Sequence, residues 1–287
     1  MDKQDNILSQ VTDRMSRTDS GAGIADRMSK RLLTVADMLG GENETFRRVA
    51  DVGCDHGYVS IYLVQSGIAA NALAMDVRSG PLAMATGNVQ AFDLSGCIET
   101  RLSDGLERLE PGEADALVIA GMGGKLMISI LEKKSLMNLG IKCAVLQPQS
   151  DIDEFRQYLR DNNLIIVDEN IVLDEGKYYF PIKVKVLEDD RVGKAIGRSP
   201  LRLMDMPGPA EVAKALDISD ERDLERICNR YGEINIIKKD PLLEQFLLHG
   251  KQVCGSIMKS LDKQSHSDRY NEVRQEAEDI DLLLKMF

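Results

Sequence analysis

The chain has 287 residues, of which 43% are hydrophobic, and a formal net charge of −11. That apolar share is enough for a packed core and excludes wholesale disorder, while no apolar run approaches the ~20 residues needed to span a bilayer. The acid excess argues against a protein that coats nucleic acid nonspecifically; a structured RNA would instead be held by local basic patches, for which global charge is a poor proxy. The five cysteines, Cys54, Cys97, Cys143, Cys228 and Cys254, contain no C-x-x-C pair, and the three histidines are His56, His249 and His266. Reduced thiols in a cytoplasmic protein are expected, with no disulfide framework and no metal site. The polar segment Met1 to Lys30 lacks the apolar stretch of a signal peptide.

In chain order, residues 1–22 form a polar tail. Apolar residues then recur at helical spacing from Ile24 to Leu39, and Gly40-Gly41 stops that helix. Strands are expected at Arg48–Val52, Asn71–Met75, Cys97–Leu102, Ala114–Ala120 and Lys142–Leu146, with helices between them. One helix starts near Tyr58; another opens at Ser79-Gly80-Pro81 with Ser79 as its N-cap. Ser150 with Asp153 has the spacing of a capping box for a helix over Ile152–Arg160. Two β-rich runs, Leu164–Leu173 and Tyr178–Val186, flank the glycine turn Asp174-Glu175-Gly176-Lys177, which predicts a hairpin. Alternating β and α elements of this kind predict a parallel sheet with helices on both faces, closed by an antiparallel pair. After a charged break at Glu188–Arg191, residues 192–236 hold short segments with Pro200, Pro207 and Pro209. From Asp240-Pro241 onward, two helices separated near Ser265–Asp268 form a helical hairpin, either a stabilising tail or an arm that grips a substrate. The expected organisation is a tail over 1–22, an α/β domain over 23–188 and a helical domain over 189–287.

The chemistry concentrates at the expected strand ends. Asp51-Val52-Gly53-Cys54-Asp55-His56-Gly57 runs from a strand through a glycine turn into a helix whose first N–H groups are free. The turn lacks the G-x-G-x-x-G spacing of dinucleotide sites and carries an acid, Asp55, inside it. Two acids would repel a pyrophosphate but suit a cofactor with a cationic end, such as the sulfonium and α-ammonium of S-adenosylmethionine. Asp76 ends the second strand, where an acid binds ribose hydroxyls. Asp104-Gly105 follows the third strand, placed to meet an adenine amino group, and Gly121-Met122-Gly123-Gly124 ends the fourth, where glycines clear space for an acceptor. Carboxyl ends of successive strands are where open α/β sheets bind ligands.

These residues, with Gly80-Pro81, Leu146-Gln147-Pro148 and the upstream Ser29-Lys30-Arg31-Leu32-Leu33-Thr34-Val35-Ala36, resemble the bacterial tRNA (adenine-22-N1)-methyltransferases over about residues 29–187. The resemblance implies a Rossmann-like, seven-stranded class I methyltransferase domain with a coiled-coil-like C-terminal helical domain. It further implies S-adenosylmethionine as cofactor and N1 of a tRNA adenine as acceptor. Carried over by position, Arg31, Asp51, Gly53, Cys54, Asp55, His56 and Gly57 line the cofactor. Asp76 sits near its ribose, Asp104 and Gly105 near its adenine, and Gly121, Met122 and Gly123 between cofactor and target base. Asp55, His56 and Met122 are the candidate catalytic residues, with His56 either active or only bracing its loop. Lys30, Gly124, Gln147, Pro148, Lys251 and Lys259 are candidate tRNA contacts, and the role of Gln149 is open. Residues 191–235 look longer than the family's linker, so C-terminal RNA contacts are not carried over, and Lys251 and Lys259 are candidates by their recurrence along the first C-terminal helix. A class I methyltransferase acting on a protein or small molecule, a nicotinamide oxidoreductase and a scaffold without activity are the competing readings. The sequence leaves the oligomeric state open, a monomer being compatible with it.

Overall fold

The structure, a computed structural model, describes residues 23–41, 44–162, 164–187, 202–261 and 267–287. The expected polar tail, the charged break at Glu188–Arg191 and the first half of the break at Ser265–Asp268 lie outside the described residues, whereas Ser267 and Asp268 already open the last long helix. A 3-10 turn at Ile24–Arg27 leads into α1 (Lys30–Gly40), and Ser29 caps α1 by accepting a hydrogen bond from the Leu32 N–H. Then follow β1 (Phe46–Val52), α2 (Tyr58–Gln65), β2 (Ala69–Asp76), α3 (Ser79–Ala91), β3 (Ile98–Leu102), β4 (Ala116–Met122), α4 (Gly124–Lys133), the short α5 (Leu136–Leu139), β5 (Cys143–Pro148) and α6 (Ile152–Asp161). Four short strands come next, β6 (Leu164–Glu169), β7 (Val172–Asp174), β8 (Lys177–Tyr179) and β9 (Ile182–Val186).

Seven of these strands form one sheet in the order β3-β2-β1-β4-β5-β9-β6. Pairings among β1 to β5 are parallel, whereas β9 runs antiparallel between β5 and β6. Strand order reverses between β1 and β4, which opens a crevice at their carboxyl ends. Alternation along each strand separates two cores. Val49, Ala116, Val118 and Val145 face the layer of α1, α2 and α3, while Ala50, Leu117, Ile119 and Leu146 face α4 and α6 through Met127, Ile130, Phe155 and Leu159. Both faces of the sheet are covered, as the near-continuous apolar run at 114–120 predicts.

Three local expectations need correction. The apolar stripe from Ile24 is broken at Met28, because Ser29 restarts the chain as a cap. Ser79 is the first helical residue of α3 and Arg78 its cap, without a side-chain bond. No capping box forms at α6: Asp151 is the cap, in the left-handed region at φ 51°, and the Ser150 hydroxyl donates to the Asp151 carboxylate at 2.6 Å. The hairpin is as expected, with Glu175 and Gly176 both at positive φ (47° and 76°), the geometry of a two-residue turn between β7 and β8.

Beyond residue 202 come α7 (Pro207–Leu216), α8 (Glu221–Tyr231), α9 (Glu233–Lys238), α10 (Pro241–Ser260) and α11 (Ser267–Leu283). They share a third core with Ile171 and Phe180 from the sheet region. Helices α10 and α11 pack closely where a Cβ on Gly250 would stand 3.1 Å from Ile280 Cδ1. Part of the seam to the sheet is polar and buried. Arg156 of α6, fully buried, donates to Glu169 of β6 at 2.7 Å and to the carbonyls of Asn229 (2.8 Å) and Arg230 (3.2 Å) at the end of α8. Glu169 also accepts the Ile234 N–H at 3.1 Å, and Arg160 clasps Glu233 through two bonds of 3.0 and 2.6 Å.

Removing one partner strands the other as a buried charge. Glu169→Ala is expected to cost about 3–5 kcal/mol, read by urea denaturation, with the helical region releasing first in hydrogen exchange. A loss below 1 kcal/mol would refute this role for the pair.

Candidate active site

The cleft at the sheet's switch point has a volume of about 460 Å³. Its floor is the turn after β1. The N–H groups of Gly53 and Cys54 both donate to the Met75 carbonyl, at 2.8 and 2.9 Å, which folds the turn back against β2. Gly53 stands at φ 76°, a conformation that favours glycine, and a Cβ there would displace the Met122 Cε methyl at the end of β4.

Two carboxylates at this floor are nearly inaccessible. Asp51 accepts from the Ser60 hydroxyl at 2.7 Å; burial nevertheless pushes its carboxyl up to about 6, the bond from Ser60 offsetting only part of that shift. Asp76 accepts the N–H groups of Asp55 (3.3 Å) and Arg78 (2.8 Å), which aims its carboxylate at the cleft with lone pairs to spare. Burial raises the Cys54 thiol, so that side chain is no thiolate nucleophile. Asp55, at φ 48°, and His56 lie at the rim, their side chains 57% and 38% exposed. His56 Nε2 is 3.6 Å from the Asp55 carboxylate, its ring stacks on Tyr58 at 5.6 Å, and its carbonyl accepts from Asn88 at 2.9 Å. Asp104 lines the cleft mouth but pairs with Lys133 at 3.1 Å, while Gly105 (φ 54°) packs under Ile130.

On the β4 side, Gly121 is at φ 81°, and a point where its Cβ would stand is 3.5 Å from Arg31 Nη1 and 3.7 Å from Gln149 Nε2. Gln147 is fully buried. Its amide oxygen accepts from Arg31 Nη1 (2.7 Å) and from the Gly121 N–H (3.1 Å), and its amide nitrogen donates to the Pro148 carbonyl (2.8 Å).

Of the residues predicted from sequence, Arg31, Asp51, Gly53, Cys54, Asp55, His56, Asp76, Asp104, Gly105, Gly121 and Met122 meet in this one cleft. The others serve it from outside or lie elsewhere. Gly57 caps α2 at φ 73° against Ala85. Gly123 precedes α4, and Gly124 leaves no room for a Cβ, which would stand 2.5 Å from the Ser150 carbonyl oxygen. Gln147 and Pro148 stand behind the wall, and Gln147 has no surface with which to touch a substrate. Lys30 is exposed at the start of α1; Lys251 and Lys259 are exposed on α10, away from the cleft lining, and Lys251 pairs with Asp281 at 2.6 Å. Sequence reasoning missed Val77, Arg78, Leu126 and Ile130. Val77 and Leu126 are exposed apolar side chains (59% and 55%) facing the cleft. The i, i+4 spacing of Leu126 and Ile130 could have signalled one helical face toward the site. Nothing in the pattern flags Val77. Among the described residues no helix is long and apolar enough to cross a membrane, and no group of side chains could hold a metal ion.

A doubly wound sheet with a glycine turn and strand-end acids around one cleft defines an α/β fold of the nucleoside-cofactor-binding class. Residues 28–182 match the family model of the methyltransferase domain, and the chain belongs to that family. Over 153 residues it is 37% identical to the tRNA (adenine(22)-N(1))-methyltransferase of Bacillus subtilis (strain 168), a match covering 53% of this chain; the chain thus spans 63% of that relative's length. Structural likeness reaches further. The solved M1A22 tRNA methyltransferase of B. subtilis superposes with a TM-score of 0.67 at 25% identity, covering 90% of this chain and 98% of that one. A Streptococcus pneumoniae protein, described as a "putative tRNA (m1A22) methyltransferase, in complex with S-adenosyl-L-methionine", gives a TM-score of 0.68 at 26% identity, covering 90% and 99%.

Because the Asp51 carboxyl is raised by burial, its folded form favours the proton. Its contribution to stability is present below about pH 4 and is lost as pH rises through about 6. Asp51→Asn keeps an acceptor for Ser60 and removes that loss. The variant is expected to be more stable than the parent by up to about 3 kcal/mol at pH 8, with the gap closing by pH 4. Urea denaturation at both pH values measures it, and a gap independent of pH would refute the assignment.

Proposed function

We propose that this protein is an S-adenosylmethionine-dependent methyltransferase that methylates N1 of an adenine in tRNA, the adenine at position 22 by likeness to its relatives. The carrying observation is the convergence of the glycine turn with Asp51, Asp55, Asp76 and Gly121 in one cleft. The residues present fit the cofactor. Gly53 leaves space that a Cβ would fill, Asp76 has free acceptor capacity for ribose hydroxyls, and acids line the floor for a cationic ligand. The complex of the S. pneumoniae protein with S-adenosyl-L-methionine supports the same choice.

When bound, the cofactor supplies an electrophilic methyl group. Adenine N1 presents its lone pair at neutral pH, so no general base is required. The protein's work is to receive a flipped-out base, exclude water and align N1. Gly121 and Met122, at the end of β4, border the space for that base, and exposed Leu126 offers an apolar surface beside it. Methylated adenine is cationic, and Asp55 at the rim would stabilise the developing charge. His56, stacked and bonded through its backbone, is assigned to shaping the loop. Lys30, Lys251 and Lys259 are the proposed phosphate contacts, Lys251 being the weakest of them because Asp281 already holds it. The proposed division into domains 23–188 and 189–287 is supported by the third core, built mainly from the helices beyond residue 202 with Ile171 and Phe180 joining from the sheet region. A cytoplasmic site of action follows from a tRNA substrate. The acidic net charge favours the second reading, a protein or small-molecule acceptor.

Incubation with labelled cofactor and either deproteinised tRNA or protein extract separates the two readings. Label is expected in tRNA, and mass mapping is expected to find it on one adenine; label confined to protein would overturn the proposal. Asp55→Ala is expected to weaken cofactor binding or turnover by about tenfold or more, and unchanged values in calorimetry and rate assays would remove Asp55 from the site. Lys259→Glu is expected to weaken tRNA binding at low salt and to lower the salt slope by about one, as titrations at several salt concentrations would register.

A further inference from the structure

The β7–β8 hairpin stands between the helical region and the cleft wall, and its successive residues point to opposite sides. On one side Tyr178 and Phe180 meet the ring of Phe246, from α10, edge-on at 5.3 and 5.2 Å between centroids. On the other side, Tyr179 lies under the Arg31 guanidinium at 5.2 Å, and the Asp174 carboxylate accepts the Arg31 backbone N–H at 3.1 Å. Arg31 is thus held from two directions, by this hairpin and by Gln147, and it lines the cleft beside Gly121. The other arginine of the cleft, Arg78, pairs with Asp76 at 3.5 Å, whereas the Arg31 guanidinium donates to a neutral amide, that of Gln147. Its charge is therefore directed by placement.

We propose that the hairpin couples the C-terminal helices to the cleft, and that Phe246 is a positioning residue for Arg31. A shift of α10 moves Phe246, and with it Tyr178 and Phe180; the tight turn at Glu175-Gly176 keeps the two strands in register, so Tyr179 and Asp174 move as one body under Arg31. Ligand contact with the helical hairpin would in this way reach the cofactor cleft without a residue of α10 touching it. The inference rests on the proposed function for its cofactor-binding measurement only.

The chain contains no tryptophan, so Tyr179→Trp introduces a sole indole that still stacks under Arg31. In that background Phe246→Ala is expected to shift the indole emission to the red and raise its quenching by acrylamide, while Phe246→Tyr restores both. If Phe246→Ala does not fold, Phe246→Leu takes its place with the same expected direction. Leu247→Ala, a core lesion on the same helix, is expected to leave the indole unchanged. An unchanged emission in the Phe246 variant, or an equal shift in the Leu247 variant, overturns the coupling whatever the protein's substrate. By calorimetry with S-adenosylmethionine, Arg31→Ala and Phe246→Ala should each weaken binding, Arg31→Ala by about tenfold, and the double variant should bind no worse than Arg31→Ala alone. Multiplying effects, or an Arg31→Ala variant with parental affinity, would equally overturn it.

Discussion

A guanidinium without exposed surface decides how this chain is assembled. Arg156 is buried where its charge and most of its donors are answered. Glu169 answers the charge at Nε, and the carbonyls that end α8 answer Nη1, while Nη2 has no partner among the described residues. Those carbonyls exist as free acceptors only because α8 stops there, at Gly232, whose φ of 81° would be strained in any other residue. The second bridge, Arg160 to Glu233, repeats the arrangement one turn along α6. A sliding of α8 or α9 over the sheet by one residue would leave at least one of these charges unpaired. The helical region is thereby set in one place on the sheet, and α10 can bring Phe246 to the hairpin beside the cleft.

The cleft obeys a different constraint, which is close approach. The turn after β1 leaves room for the Met122 side chain because Gly53 has no Cβ, and α4 can start where it does because Gly124 has none to meet the Ser150 carbonyl. The space so gained is floored with acids. Holding Asp51 out of water raises its carboxyl, and hence works against the folded state at neutral pH. A residue that destabilises its own fold and sits in a cleft is selected for something other than packing, and a ligand with a positive end would return what the burial costs.

Much of this was legible in the sequence because it depends on short-range pattern. The strands expected at 48–52 and 71–75 lie within β1 and β2, that at 142–146 starts one residue before β5, and the glycine hairpin at 174–177 falls where expected. The acids at strand ends could be read because a strand's end is a local property, and the cleft is the sum of such ends. What escaped reading depends on the tertiary partner. Ser79 and Ser150 have the composition of caps, yet the chain enters α3 one residue earlier and α6 one residue later than such caps would give, with Ser150 bonded to Asp151 instead. Gln147 belongs to a motif that suggests substrate contact; in space it is an internal brace joining α1, β4 and β5. Arg156 looks like any helical surface arginine until β6 and α8 enclose it. In the region 192–236, of which residues 202–236 are described, the helices from 207 onward share a core with Ile171 and Phe180, far away in sequence.

The placement of charge also bears on how an RNA could reach this cleft under the proposed activity. Asp55 and Asp104 stand at its mouth, exposed by more than half, and their nearest cations, Arg78 and Lys133, are engaged with them or with adjacent acids. Phosphates are therefore repelled from the opening, while a neutral base is not. An extruded adenine could enter past Val77 and Leu126, whose exposed apolar surfaces suit a ring, with its backbone running outside over Lys30 and the cationic side of α10. Attraction of the strand and admission of the base then belong to different surfaces. A net charge of −11 is compatible with an RNA substrate because the acids guard the one place where a phosphate should not go.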